Sequence, residues 1–185
     1  MINEILADAK SHMDKSLKAI QQEMASIRTG RATSSLLDTI RVEYYGTQAP
    51  VKQVASISAP EPRLLTVHPW EPRMIPIIEK AILTANLGLN PSNDGTTIRI
   101  PIPPLNEERR RELVRMVGTL AEGARVAIRN IRRDANDLLK AYQKDGEVSE
   151  DDSRRTQEEV QEMTNEYAQK VDEILEKKEE EIMEV

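Results

Sequence analysis

All ten prolines of this 185-residue chain lie between Pro50 and Pro104, and neither flank, Met1 to Gly30 or Leu105 to Val185, contains one. A proline inside a helix removes a hydrogen bond, clashes with the preceding turn and costs about 3 kcal/mol. The two flanks are helical in pattern, so a helical body is interrupted by a domain of another kind.

In the first flank Ile2, Ile5, Ala9, Met13, Leu17, Ile20, Met24 and Ile27 recur at spacings of three and four, the signature of one buried helical face. The spacing predicts a helix of about 25 residues, roughly 38 Å long. After Pro103-Pro104 the rhythm resumes with Leu113, Val117, Leu120, Ala124, Ile128, Ile131, Ala135, Leu138 and Tyr142, and Lys144-Asp145-Gly146 ends it. Ser149 followed by Glu150-Asp151-Asp152 resembles a helix cap with an acidic first turn. It opens a third helix presenting Val160, Met163, Tyr167, Val171, Ile174 and Ile182. Three long helices with one apolar stripe each bury those stripes most simply against one another.

The middle reads differently. Ile40 to Tyr45, Val51 to Ser58, Leu64 to His68 and Thr96 to Ile102 are β-branched, partly alternating and bounded by Gly or Pro, so they are expected strands. Met74 to Asn86 fits one amphipathic helix ended near Gly88, and Asn90 to Gly95 reads as a turn only. The expected organisation is a discontinuous three-helix domain, residues 1–30 and 105–185, with a small α+β domain, residues 31–104, inserted through crossings near 30–32 and 103–105. Two adjacent crossings suit rigid-body swinging, which makes Gly30, Arg31, Pro103, Pro104 and Leu105 the expected hinge.

Composition narrows the chemistry. Cysteine is absent, which excludes disulfides, thiol nucleophiles and thiolate metal sites. The two histidines, His12 and His68, fall in different expected domains, and no P-loop or GxGxxG cradle occurs. No catalytic residue, cofactor or metal is therefore expected. The opening segment carries Glu4 and Asp8 among its apolar residues, so it lacks the continuous apolar core expected of a secretory leader. With no apolar run near the roughly 20 residues of a membrane span, a cytoplasmic protein is expected.

Net charge is -6, so any nucleic-acid function must come from uneven charge. The second helix supplies it. Taking Arg125 as zero and about 100° per residue, the apolar positions occupy an arc of roughly 220° to 320°. Arg125, Arg129, Arg132 and Arg133 fall beside that arc, with Arg111, Arg115 and, at the edge, Arg110 in line if the helix is straight; Glu122 shares the sector. Gly118 and Gly123 stand inside this helix, each costing about 1 kcal/mol relative to alanine, and put its straightness in question. Two readings fit the stripe. The stretch Lys144 to Val185 holds 16 Asp+Glu against 6 Lys+Arg, so the arginines can pair with it as a solvated surface, which charge pattern alone favours. Alternatively a phosphate backbone relieves the repulsion among stacked arginines. Tyr44, Tyr45 and Trp70 fit a base-stacking platform or, more commonly for such residues on short strands, core.

Ile27-Arg28-Thr29-Gly30-Arg31-Ala32, Val42-Glu43-Tyr44-Tyr45-Gly46, Gly88-Leu89-Asn90-Pro91, Pro103-Pro104-Leu105-Asn106-Glu107-Glu108-Arg109-Arg110 and Ala127-Ile128-Arg129-Asn130-Ile131-Arg132-Arg133-Asp134-Ala135-Asn136 closely resemble the bacterial ribosome recycling factor family. The match runs in order over the whole chain. It implies an L-shaped, tRNA-like α+β molecule, a three-helix bundle joined by a hinge to a β/α/β sandwich. It further implies a monomer with no catalytic activity that binds the post-termination ribosome. Elongation factor G with GTP would then drive the subunits apart. By resemblance, Arg110, Arg129, Arg132 and Arg133, with Arg28 and Arg31 near the hinge, contact large-subunit ribosomal RNA, Arg132 foremost.

Overall fold

The computed structural model describes residues 1–184. It comprises two compact units, Met1–Arg28 with Glu107–Glu184, and Thr29–Asn106. The first is built from α1 (Ile2–Ser26), α4 (Glu107–Lys144) and α5 (Glu150–Met183). The second contains β1 (Arg41–Tyr44), β2 (Thr47–Pro50), the single turn α2 (Val51–Val54), β3 (Ala55–Glu61), β4 (Leu64–Pro69), α3 (Ile75–Thr84), β5 (Ser92–Asn93) and β6 (Ile98–Pro101). This is the expected fold class, a long helical bundle with a small β-sheet domain.

In the bundle, Ile5, Ala9, Met13, Ile20 and Met24 of α1 are buried against a stripe on α4 formed by Leu113, Val117, Ala121, Ala124, Ile128, Ala135 and Leu139. From α5 come Val160, Tyr167, Val171 and Ile182. The turn between α4 and α5 is short: Gly146 takes φ +77, and the Glu147 N–H donates to the Tyr142 carbonyl (2.9 Å), a helix end that glycine accepts at little steric cost. Helix α5 starts on Ser149, whose Oγ accepts from the Asp152 N–H (3.1 Å), as the sequence predicts.

The structure corrects the expected stripes in detail. Leu138 is 49% exposed and Leu139 is fully buried. Leu120, Ile131 and Tyr142 are only half-buried, while Ala121 is buried. Choosing the larger side chain at each turn put the expected face about one residue out of phase at the far end of α4. On α5, Ser153, Thr156 and Thr164 are buried; Thr164 returns its hydroxyl to the Val160 carbonyl (2.7 Å) and Thr156 to that of Asp152 (2.7 Å), which satisfies the buried donor inside the helix itself. Gly118 and Gly123 do not break α4, which runs continuously for 38 residues.

In the small unit, β3, β4, β6 and β5 form one antiparallel sheet in that order, and β1 and β2 form a hairpin. Alternation places Leu65 and Val67 of β4 and Ile98 and Ile100 of β6 inside, in one core with Met74, Ile78 and Ile82 from α3 and its entry turn. Two expectations change. Val51 to Ser58 is not one strand: its first four residues make the turn α2, where Val51 and Val54, three apart, both face the core. Ser92-Asn93, expected as turn only, pairs with Arg99 and Ile98. Beyond it Asp94 accepts from the Thr97 and Thr96 N–H groups (2.8 and 3.0 Å), and those donors pull its carboxyl down to about 2.

The corrected phase of α4 yields a paired expectation. Leu139→Ala should lower stability by about 3 kcal/mol, as deletions of fully buried leucines do, whereas Leu138→Ala should stay within about 0.5 kcal/mol. Urea unfolding followed by helical circular dichroism measures both, and equal losses would contradict the assigned phase.

Candidate nucleic-acid interface

The arginine stripe of α4 runs beside its seam with α5, and its arginines differ in the acceptors they meet. Arg125 is largely enclosed, its side chain 28% exposed. Its Nε and Nη2 donate to Asp172 Oδ1 of α5 (2.9 and 2.5 Å) and its Nη1 to Glu122 Oε2 (3.2 Å). Arg129, half exposed, shares the other oxygen of the same Glu122 carboxylate. Hydrogen bonds from Arg129 first, then Arg125, hold the Glu122 carboxyl below the usual range. Arg132 reaches across to α5 as well, but to an amide: its Nη1 donates to Gln161 Oε1 (3.1 Å), and Gln161 Nε2 donates to Asn165 Oδ1 (2.8 Å). Arg133 is 68% exposed with only a loose approach of its Nε to Asp134 (4.0 Å).

Along one helix face, then, available charge rises from Arg125, committed to two carboxylates, through Arg129, which shares one, to Arg132 and Arg133. A carboxylate at 2.5 to 3.2 Å largely cancels the field of a guanidinium, while an amide oxygen orients it and leaves its full charge outward. The neutralised end can hold the seam together, and the other end can engage a phosphate chain, for which the planar fork is suited.

The remaining expected positions are dispersed. Arg110, in the first turn of α4, is half-buried, and its Nε is enclosed without a hydrogen-bond partner. Arg111 pairs with Glu107 one turn back (3.5 Å). Arg28 follows the end of α1, is exposed and belongs to the bundle unit, while Arg31 is exposed in the small unit. Of the residues that sequence reasoning left out, Gln161 and Asn165 matter most; the signal available was a run of amides four apart, Gln157, Gln161, Asn165 and Gln169, on a helix otherwise dominated by carboxylates.

Of the three aromatic residues only Tyr44 packs against the core, the role expected as the commoner one. Tyr45 is 71% and Trp70 64% exposed, and Tyr44 is half-buried. Tyr45 and Gly46 carry positive φ, +49 and +81, as the two-residue turn of the β1–β2 hairpin requires. The tyrosine at this unfavourable position is held by its own contacts. Its hydroxyl and that of Tyr44 donate to Glu71 (3.2 and 3.0 Å), and the Arg73 guanidinium lies 4.4 Å from its ring centre. Arg73 is paired with Glu71 in turn (2.6 Å), so the cluster is internally closed and offers no unpaired cation to a nucleic acid.

Residues 20–183 match the family model described as ribosome recycling factor. The chain belongs to the ribosome recycling factor family. Curated ribosome-recycling factors from Geobacter metallireducens and Thioalkalivibrio sulfidiphilus are each 55% identical to it over 185 residues, covering the whole of both chains. Among solved structures, a solution structure of a ribosome recycling factor aligns with TM-score 0.76 at 40% identity, over 100% of this chain and 98% of that one. A second, of the T. thermophilus ribosome recycling factor and the E. coli elongation factor G bound to the E. coli post-termination complex, aligns with TM-score 0.66 at 49% identity over 99% of both chains. Members of this family are translation factors and not enzymes.

The division of the stripe predicts where stability resides. Arg125→Ala should lower bundle stability by about 1 kcal/mol, and a double-mutant cycle with Asp172→Ala should return a coupling of about 0.5–1 kcal/mol. Arg133→Ala should change stability by less than about 0.5 kcal/mol. Zero coupling between Arg125 and Asp172 would remove the structural role assigned to that pair.

Proposed function

We propose that the chain acts in the cytoplasm by binding the post-termination ribosome through the α4 stripe. Arg129, Arg132 and Arg133 contact the phosphate backbone of large-subunit ribosomal RNA, with Arg110, Arg28 and Arg31 as flanking contacts. Elongation factor G, using GTP, then separates the subunits. The observation that carries this reading is the state of Arg132: half-buried and fixed in direction by Gln161 yet not neutralised, with the exposed Arg133 one residue on. Family membership supplies the partner class. Nucleotide hydrolysis belongs to elongation factor G in this scheme, and no helix among the described residues is long and apolar enough to cross a membrane.

The domain boundaries expected from the sequence, 1–30 with 105–185 and 31–104, belong to the same proposal, with Gly30, Arg31, Pro103, Pro104 and Leu105 as the hinge. Two features support a constrained joint. Gly30 has φ +76, and a Cβ there would lie 3.0 Å from Leu105 Cγ. Only glycine fits this conformation at that distance without displacement.

Arg132→Ala should fold normally, because the position lies outside the buried stripe, and should lose most of its subunit-splitting activity with elongation factor G and GTP. Light scattering of purified ribosomes reads this directly; full splitting by the variant would eliminate the role given to the stripe. For the joint, the absence of native cysteine allows one to be introduced into each unit and the pair crosslinked alone. Splitting should slow more than ribosome binding weakens, and an unchanged splitting rate would count against a functional hinge.

A further inference from the structure

Helix α5 is crowded with carboxylates, and it meets two arginines of the stripe. At Arg125 it offers Asp172, an anion, and the pair is closed by direct hydrogen bonds. Where the seam passes Arg132, α5 offers Gln161 backed by Asn165. The amide orientation follows from the donors: a guanidinium has no acceptor, so Gln161 must turn its oxygen to Arg132. That leaves its NH2 to donate onward, and Asn165 Oδ1 receives it. Each link in the chain Arg132, Gln161, Asn165 therefore points one way, and none of the three residues loses or gains charge.

We propose that Gln161 is a positioning residue for RNA binding: it aims the Arg132 guanidinium along the seam while sparing its charge, and Asn165 fixes Gln161 in turn. A carboxylate at position 161 would make the same hydrogen bond and cancel the charge, converting Arg132 into a second Arg125. This rests on the phosphate-contact reading above and adds to it the reason one arginine of the stripe is more competent than its neighbours. Glu122 provides the opposite case, since its carboxylate sits between Arg125 and Arg129 as a phosphate would and must give up Arg129 before RNA can take it.

Binding of the full-length chain to purified large ribosomal subunits, measured across a range of salt concentrations, tests the assignment. Gln161→Glu should weaken binding at least tenfold and reduce the slope of log affinity against log salt by about 1, the loss of one phosphate contact. Gln161→Ala, which removes the guide and adds no charge, should weaken binding about threefold with its slope unchanged, an unchanged affinity overturning the positioning role, and Glu122→Gln should bind more tightly than the natural chain. Circular dichroism and urea unfolding confirm that each variant is folded. If Arg132→Ala weakens binding but Gln161→Glu does not, the role of Gln161 is wrong and the stripe reading stands. If Gln161→Ala loses as much as Gln161→Glu, charge sparing is wrong. If Arg132→Ala itself binds with unchanged affinity and slope, the stripe reading falls, and this inference with it.

Discussion

The packing of α4 against α5 is the contact on which most of this molecule depends. Along it Ile128, Leu139, Val160 and Val171 are fully buried, and the polar margin of the same seam carries Arg125, Arg132, Asp172 and Gln161. Because a helix presents its neighbours at fixed angles, the residues that bury the apolar stripe also determine which way the arginines point. Stability and recognition thus share one geometry. Arg125 is drawn into an ion pair across the seam because Asp172 faces it, whereas Arg132 meets an amide there and keeps its charge.

The same logic explains why the -6 net charge of the chain need not oppose the RNA contact proposed above. Local composition at the seam decides the outcome, and α5 places its carboxylates and its amides at different heights along α4. In the small unit a comparable economy operates at Glu71, which collects two tyrosine hydroxyls and Arg73 into one group. Those bonds offset a backbone conformation at Tyr45 that a side chain with a Cβ disfavours. The Glu71 cluster balances its charge internally with Arg73, so it is sound as part of the fold before any partner arrives.

Sequence pattern was most informative where one physical requirement acts over many residues. The confinement of proline between Pro50 and Pro104 marked the non-helical insert, and three-four periodicity located α1, α4 and α5 to within a few residues. It failed where two residues compete for one place. Leu138 and Leu139 are equally apolar, and only the packing of a 38-residue helix, whose phase drifts against any short repeat, selects Leu139. Val51 to Val54 carries β-branched residues and still forms a turn, because Val51 and Val54 both reach the core that way. Exposure of Tyr45, at the tip of a hairpin, and of Trp70, just past the end of β4, was likewise not legible, since composition cannot say which turns are covered. The arginine stripe was visible from phase. The distinction between Asp172 and Gln161 as its partners was not, because it depends on the register of two helices.

The chain order of the bundle has a consequence for its biosynthesis. Helix α1 ends at Ser26 and α4 begins at Glu107, so the first apolar stripe is made before either surface that covers it. At typical elongation rates the intervening segment takes roughly 4–16 s to synthesise, during which Met13, Ile20 and Met24 have no mate. The small unit, by contrast, is local in sequence and can close while α4 is still being made, and α4 and α5 can then zip together from their short turn. The helix synthesised first therefore waits longest for its mate, and in the nascent protein it is the segment most in need of a chaperone's cover.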